Sequence, residues 1–536
     1  MTVSSSPTLL HHLIEHAAGI RPDAVALRAG GADLRYGELA DNVRAFANGL
    51  LALGVGRGDR VAIYLEQRFE TVVASFGCAA AGAVFVPVNP LLKAIQVRHI
   101  LRDAGARLLL TSRQRLPVLG DVRADCAALR HIVLVDDVEE GDGTIAWPQL
   151  LAAPATAPHR LIDADIAAIL YTSGSTGLPK GVVLSHANMV AGARSVVSYL
   201  GNHADDTLLA ALPLSFDAGF SQLTTAFCVG ARVVLLNYLL ARDVVKAMAA
   251  ERVTGLTAVP PLYMQIARLD WPGDIDRHLR YFASTGGRMP RVTLDALRRR
   301  VPSAQPFLMY GLTEAFRATV LPPDEVARRP DSIGRAIPGT EVLVLRADGS
   351  RCPPGEPGEL VQRGPLVAQG YWNDAARTAE RFRPLPAAAG VRPEGLVREE
   401  IVVFSGDTVR ADDDGFLYFV GRRDDMIKTS GYRVSPVEVE DAILGSGALA
   451  ECVAVGVDHA ELGQVIALAC CVPSGCAFDA DTLRTGCRQV LPAYQVPAHF
   501  VDFGGALPRN PNGKLDRPAI AAALRERLGG TTGEYS

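Results

Sequence analysis

Two lysines set among glycines and prolines are the most telling chemistry-bearing residues of the chain. Lys180 closes the stretch Tyr171-Thr-Ser-Gly-Ser-Thr-Gly-Leu-Pro-Lys-Gly181. An apolar run from Ile166 to Tyr171 reads as a buried strand that opens into the small residues Thr172, Ser173, Gly174, Ser175, Thr176 and Gly177. Backbone amides and hydroxyls can approach an anion there without steric hindrance, and Lys180 adds a fixed cation, so the stretch reads as a phosphate-handling loop. It is not an ordinary P-loop. Counting from Gly174, Pro179 falls where the second glycine belongs and Gly181 where the Mg²⁺-binding hydroxyl belongs. Taken alone, the string fits a Ser/Gly-rich surface turn better, and it is the rest of the chain that favours the phosphate loop. The other lysine, Lys514, stands in Pro508-Arg-Asn-Pro-Asn-Gly-Lys-Leu-Asp-Arg517, a rigid loop whose plain alternative is a solvated tail.

Four further groups lie between them. Ala283-Ser-Thr-Gly-Gly287 is a run of small residues, Ser284 and Thr285 among them, against which a flat ligand can lie; a flexible turn is its alternative. Tyr310-Gly-Leu-Thr-Glu314 puts a ring, a hydroxyl and a carboxylate on one turn, with Gly311 between. Those groups suit adenine stacking by Tyr310, a phosphate contact by Thr313 and Mg²⁺ ligation by Glu314. A helix start capped by Thr313 would use the same residues. Ser405-Gly-Asp407 ends a strand with a carboxylate suited to two ribose hydroxyls, or makes an Asx-turn. Gly421-Arg-Arg-Asp-Asp-Met-Ile-Lys-Thr-Ser-Gly431 joins cations to a glycine loop, or is a charged interdomain turn.

The elements that must hold these groups follow from periodicity. Residues 8–20 read as an amphipathic helix, Val25–Arg28 as a strand, and Leu34 to Leu53 as a helix with apolar spacings of three and four. Strand Arg60–Leu65, a helix to Ala81 and strand Ala83–Val88 give the βαβ rhythm of a parallel sheet, and strand-like segments recur at Arg107–Thr111, His131–Val135, Ala167–Tyr171, Thr207–Leu212 and Ala231–Leu236. From about Ser332 the texture turns to short β segments such as Glu341–Leu345 and Gly358–Arg363. After Gly421 a compact α+β pattern starts, with strands Val453–Val457 and Val465–Val472, a helix near Thr482–Leu491 and a last strand near Phe503. The fold class is therefore α/β, with a large N-terminal domain of parallel-rich sheets, a β subdomain and a small α+β C-terminal domain.

Composition narrows the function. At 536 residues the chain exceeds one core, and its 49% hydrophobic content suits a globular enzyme. A net charge of −4, from 54 basic and 58 acidic residues interspersed, points to a small-molecule partner and away from nucleic acid or an anionic membrane. The nine cysteines lack zinc-site spacing and read as reduced, mostly buried thiols. Without a basic leader at Met1–Pro7 or an apolar run near the ~20 residues of a membrane span, a cytoplasmic location is expected.

In this order and at these separations, the six motifs resemble the adenylate-forming superfamily of acyl-CoA synthetases, peptide-synthetase adenylation domains and luciferases, over nearly the whole chain. The resemblance implies an N-terminal domain at 1–423, with its β subdomain at about 332–423, and a mobile C-terminal domain at 424–536 that turns about a hinge at Asp424. It implies ATP and Mg²⁺, and two half-reactions: a carboxylate attacks the α-phosphate to give an acyl-adenylate, then a thiol displaces AMP. Lys514 would bridge carboxylate and α-phosphate, the loop Thr172–Gly177 with Lys180 would hold the outer phosphates, Glu314 the Mg²⁺, and Asp407 with Arg422 the ribose. After the domain turns, Gly431 would line the thiol's channel. A luciferase-like oxygenase would share every adenylation motif, while a nucleotide sensor could dispense with Lys514.

Asp217, in Leu214-Ser-Phe-Asp-Ala-Gly-Phe, occupies the place where amino-acid-activating relatives carry the carboxylate for the substrate ammonium. Its alternative is an N-cap on a helix beginning at Ala218. Arg317 follows the Tyr310–Glu314 turn and either lines the far end of the acyl pocket or pairs with Glu314 or solvent. With both inward, an amino acid bearing a second carboxylate would match. This pattern resembles stand-alone ligases that load β-amino acids such as 3-methylaspartate onto carrier proteins of macrolactam polyketide pathways, and Tyr310–Thr319 also resembles exosortase-associated acyl ligases. The implied acceptor is a phosphopantetheine thiol, on a carrier protein supplied in trans or on free CoA. The alternative is an acyl-CoA ligase for a non-amino acid.

Overall fold

A computed structural model describes residues 6–136, 143–172, 179–391, 393, 395–422, 426–446, 448–473, 477–509 and 515–529. The chain divides into two compact units, the larger built on the chain up to Arg423 and the smaller principally on the chain after it. Continuous apolar runs such as Val84–Pro87, buried at every position, make strands covered on both faces, and these sort into parallel sheets. A seven-stranded sheet carries, in order, Ile145–Ala146, His131–Leu134, Ala106–Thr111, Arg60–Ile63, Val84–Pro87, Ile166–Thr172 and Lys180–Ser185. Its pairings as far as Ile166–Thr172 are parallel.

A nine-stranded sheet runs Arg335–Ala336, Thr319–Leu321, Gln305–Tyr310, Tyr281–Ser284, Gly255–Ala258, Thr207–Ala210, Arg232–Leu235, Val25–Ala29 and Ala32–Arg35. Its middle is parallel and both edges are antiparallel. Helix Asp217–Val229 is sunk among these layers. Its Phe220 ring lies 4.8 Å from that of Phe85 in the seven-stranded sheet and 5.7 Å from Phe76, while Phe227 meets Phe76 edge-on at 5.3 Å. Burying each ring contributes roughly 1.5–3 kcal/mol and a favourable ring pair about 0.5–1.5 kcal/mol more, enough to fix the helix and its first turn.

The β subdomain is a five-stranded sheet of Glu341–Leu345, Gly358–Arg363, Ile401–Ala411, Phe382–Pro384 and Leu417–Arg422. In the smaller unit another five-stranded sheet joins Tyr432–Val434, Ile427–Thr429, Gly463–Cys471, Glu451–His459 and His499–Asp502, with helices Pro436–Leu444, Ala480–Val490 and Arg517–Gly529. This is the expected α/β class. Two expectations differ: Asp407 does not end its strand but lies inside Ile401–Ala411, which continues because it pairs with Leu417–Arg422, and Leu34 and Arg35 belong to a strand, with the helix beginning only at Tyr36. Gly30 and Gly31, both at positive φ (56° and 87°), close a two-residue hairpin that pairs Ala29 with Ala32. The strand they create is mostly exposed at the sheet edge and so lacks the apolar alternation that would reveal it.

Among the described residues no helix is long and apolar enough to cross a membrane, and the described cysteines are free thiols. A carboxyl in the smaller unit carries a pH signature. Burial raises Glu438 to about 7 against a hydrogen bond from Gln495. A carboxyl whose folded pKa lies above its unfolded one contributes stability below the unfolded value and loses it as pH rises through the folded value, here from about 4.5 to about 7. Glu438→Gln should therefore raise the melting temperature at about pH 8.5 more than at about pH 5. Equal shifts at both would contradict this assignment.

Candidate active site

The turn after strand Gln305–Tyr310 and the β subdomain meet in one hydrogen-bonded cluster. Tyr310 donates its hydroxyl to the carboxylate of Asp407, which is 3% exposed. Asp407 is fixed in turn by its own N–H, which donates to Ser405 Oγ at 3.1 Å, and by Gly406 at φ 72° just before it. Strand register sets Arg422 directly opposite Asp407, while the Arg422 side chain lies outside the description. Thr313 and Glu314 lie in a single 3₁₀ turn, Thr313–Ala315, whose cap is Leu312, so Thr313 caps no helix. Glu314 is buried and accepts a hydrogen bond from the Tyr371 hydroxyl at 2.7 Å. An oriented hard carboxylate of this kind fits Mg²⁺ by the chemistry of its donor atoms.

Within the larger unit a small cavity of about 10 Å³, room for about one water molecule, reaches Met309 and Arg317 on either side of the Tyr310–Glu314 turn. Ala218, Ser221 and Gln222 of the Asp217 helix, Thr257, Met309 and Arg317 are among its walls. Arg317 is only 3% exposed, makes no ion pair among the described residues, and leaves Nε without a hydrogen-bond partner. It is neither a surface arginine nor a partner of Glu314. Gln222 Oε1 and Thr225 Oγ1, on the same walls, are likewise buried without partners. Orphaned polar atoms around a cavity are what a polar ligand would satisfy.

Asp217 is the first residue of helix Asp217–Val229, which begins one residue earlier than expected, with Phe216 as its cap; Asp217 is therefore not the N-cap. Burial pushes its carboxyl up, Arg317 and the Ala218 amide oppose that push, and Glu314 adds to it. Asp217 and Arg317 thus feel each other's charge without forming an ion pair. Gly219 permits the approach of this first turn to the chain before it, since a Cβ there would lie 1.9 Å from the Pro213 carbonyl oxygen.

The remaining expected residues divide into placed and undescribed. Ser284 ends strand Tyr281–Ser284, and Thr285 follows with its N–H on the Ala258 carbonyl at 3.1 Å; both are buried. Gly311 lies against the main chain of Arg317, where a Cβ would be 3.3 Å from the Arg317 Cα. Thr172 ends one strand and Lys180 begins the next, both partly buried. Gly431 forms a two-residue hairpin turn with Ser430 (φ 82° and 52°) between strands Ile427–Thr429 and Tyr432–Val434. Ser173, Gly174, Ser175, Thr176, Gly177, Asp424 and Lys514 lie outside the described residues. On either side of the Lys514 segment, Arg509 and Leu515 form an antiparallel bridge, and Asp516 N–H donates to the Pro508 carbonyl at 2.9 Å.

Sequence reasoning passed over Tyr371, Gln222, Thr225 and Thr257. Tyr371 reaches Glu314 across 57 residues, and no local pattern announces such a partner.

Residues 14–372 match the model of the AMP-binding enzyme family and residues 438–514 that of the AMP-binding enzyme C-terminal domain. The chain belongs to this family, within the adenylate-forming superfamily, whose reagents are ATP and Mg²⁺. It is 32% identical to a feruloyl-CoA synthase of an Amycolatopsis species, covering 96% of this chain and 97% of that one. It is 31% identical to an L-proline–[L-prolyl-carrier protein] ligase of Pseudomonas fluorescens, over 96% of this chain and 99% of the relative. The chain spans only 6% of the length of a linear gramicidin synthase polypeptide of Brevibacillus parabrevis, a far longer relative that it also matches. Among solved structures, the complex of VinN with L-aspartate is similar at 30% identity and a TM-score of 0.64, over 77% of this chain and 98% of that one.

The Tyr371–Glu314 bond is open to direct measurement. Tyr371→Phe leaves a buried carboxylate one donor short and should lower stability by about 1–3 kcal/mol, read from denaturant unfolding. An unchanged midpoint would show that Glu314 does not depend on that hydroxyl.

Proposed function

We propose that the chain activates an amino acid bearing a second carboxylate, an acidic or β-amino acid of the 3-methylaspartate kind, as its acyl-adenylate. It then passes the acyl group to a phosphopantetheine thiol on a separate carrier protein. The observation that carries this reading is Arg317, a guanidinium buried in a cavity wall with no carboxylate partner among the described residues, near an Asp217 whose charge burial disfavours. A buried cation and a half-buried anion held apart are each satisfied by a ligand carrying both opposite charges. The likeness to VinN, solved with L-aspartate, and to a prolyl-carrier-protein ligase supports an amino substrate and a carrier. Such a role would suit the loading of an amino acid in polyketide or antibiotic biosynthesis.

In this reading the ammonium lies on Asp217 and the distal carboxylate on Arg317, with Ser284 and Thr285 along the substrate's flank. Tyr310 packs on adenine, Asp407 and Arg422 take the ribose, and Gly311 keeps the turn open. The loop Thr172, Ser173, Gly174, Ser175, Thr176 and Gly177, with Thr313 and Lys180, holds phosphates. Glu314 would hold Mg²⁺, which supplies positive charge against the phosphates when bound. A carboxylate approaching a triphosphate is anion meeting anion, so catalysis comes mainly from positioning and from cations aimed at the developing charge. Lys514 provides that cation between carboxylate and α-phosphate. Rotation about Asp424 then withdraws Lys514 and brings Gly431 to the thiol's channel, a lid-type step.

A second reading, an acyl-CoA ligase for a non-amino acid, is favoured by the likeness to feruloyl-CoA synthase over nearly both full lengths. Pyrophosphate exchange over amino, dicarboxylic, aryl and fatty acids separates the two. Removing one member of a charge pair typically costs about 3–5 kcal/mol, so Asp217→Ala should depress exchange with amino substrates by roughly two orders of magnitude or more. Des-amino analogues should lose far less. Arg317→Leu should weaken dicarboxylic amino acids selectively. A wild-type preference for an aryl or fatty acid would remove the amino-acid reading in favour of the second.

Lys514→Ala should abolish adenylate formation yet spare thioester formation from supplied adenylate, because its charge is needed only while the phosphoryl centre reacts. Equal loss in both half-reactions would refute that division.

A further inference from the structure

The backbone that delivers Arg317 to the cavity is unusual. Phe316 sits at φ 57°, ψ −48°, and Arg317 N–H donates to the Ala315 carbonyl two residues back at 2.6 Å. These are the marks of a γ-turn of the positive-φ kind, rare and strained for a residue with a bulky side chain. Such a conformation persists only where the surroundings over-determine it. Here the Phe316 ring is fully buried and rests on Gly192, in the middle of helix His186–Leu200. A Cβ on Gly192 would lie 2.5 and 2.6 Å from ring atoms of Phe316, so any other residue there displaces the ring. Glycine weakens a helix interior, yet it stands at this position.

Two more contacts fix the next residue. The Arg317 carbonyl accepts from Gln362 Nε2 at 2.7 Å, a side chain wholly buried in the β subdomain, and Ala318 N–H donates to the Tyr310 carbonyl at 3.2 Å. The helix that seats Phe316 also supplies Val196 and Leu200 to the cavity wall.

We propose that Phe316 and Gly192 form a positioning pair, in which the ring seated on the glycine holds the γ-turn that aims Arg317 into the acyl cavity and so sets which acids the enzyme accepts. Neither residue lines the cavity; both act through Arg317. The inference rests on the acyl-pocket reading of Arg317 but not on the identity of the acid.

The test compares wild type, Gly192→Ala and Arg317→Leu in pyrophosphate exchange over one panel: aspartate, asparagine, a β-amino monocarboxylic acid and a fatty acid. A misplacement near 1 Å costs up to about 100-fold, so Gly192→Ala should change kcat/KM by about 10- to 100-fold for the same acids that Arg317→Leu affects. The remaining acids and the KM for ATP should be unmoved. Adding Phe316→Leu, which shortens the side chain facing the new methyl, should restore most of the lost selectivity. A uniform fall across all acids, or an unchanged selectivity profile, would overturn the proposal and leave the contact as packing only. Should Gly192→Ala fail to fold, Phe316→Gly keeps the positive φ accessible while deleting the ring, and wild-type selectivity in that variant overturns the proposal equally. If wild type prefers the fatty acid, the amino-dicarboxylate reading falls, while matching profiles for Gly192→Ala and Arg317→Leu still uphold the positioning pair.

Discussion

A guanidinium almost wholly removed from water, with no carboxylate against it among the described residues, is the constraint around which the larger unit is arranged. Leaving such a charge uncompensated is expensive, and a protein tolerates it only where rigid surroundings prevent the side chain from reaching solvent or a convenient partner. Arg317 is denied both. Its carbonyl is held by Gln362, its amide by Ala315, and the Cα lies so close to Gly311 that a side chain there would crowd it. The cost of isolating the cation makes the cavity receptive to an anion, which is why its burial says more about function than its presence in the sequence.

The opposite charge is held by different means. Asp217 stands on the first turn of a helix whose rings Phe220 and Phe227 are locked among Phe76, Phe85 and Tyr36. Amide groups at a helix start favour an anion, which accords with the Ala218 amide opposing the upward push of burial on this carboxyl. Asp217 is thus fixed by apolar packing of the helix behind it, and Arg317 by hydrogen bonds and a strained turn. Two independent supports keep the charges from collapsing onto each other.

Much of this was legible beforehand because parallel-sheet proteins advertise their strands as short apolar runs. Of the strands named from sequence, Glu341–Leu345 and Gly358–Arg363 were read to the residue and the others to within two, while Lys180–Ser185, Gly255–Ala258, Tyr281–Ser284 and Gln305–Tyr310 were not named. The exposed edge strand Ala32–Arg35 was not, because half-solvated residues carry no alternation to read. At the site, local motifs named Tyr310, Glu314 and Asp407, and the structure joins the first to the last through a hydrogen bond over 97 residues. Tyr371 and Gln362 could not be anticipated in the same way. Each serves the site through a contact set by tertiary packing, and neither stands in a motif with its partner. The φ of Phe316 was equally hidden, since nothing about a phenylalanine in sequence signals a positive dihedral that a distant glycine makes possible.

That arrangement bears on how selectivity can differ between chains of this fold. Tyr310, Glu314 and Asp407 are held from the β subdomain and the Tyr371 segment, whereas Arg317 is held partly from helix His186–Leu200. A change at Gly192 on that helix therefore reaches Arg317 through the Phe316 ring and not through the Tyr310–Asp407 or Tyr371–Glu314 hydrogen bonds. The two sets of contacts are linked through the main chain from Tyr310 to Ala318, tied by one hydrogen bond of 3.2 Å, through Gln362 of the β subdomain, and through Asn188, which donates to the Pro365 and Val367 carbonyls beside the Tyr371 segment. On this architecture the cavity that Arg317 lines is open to alteration from outside its own lining, and the places to look are the small residues against which its supporting side chains rest.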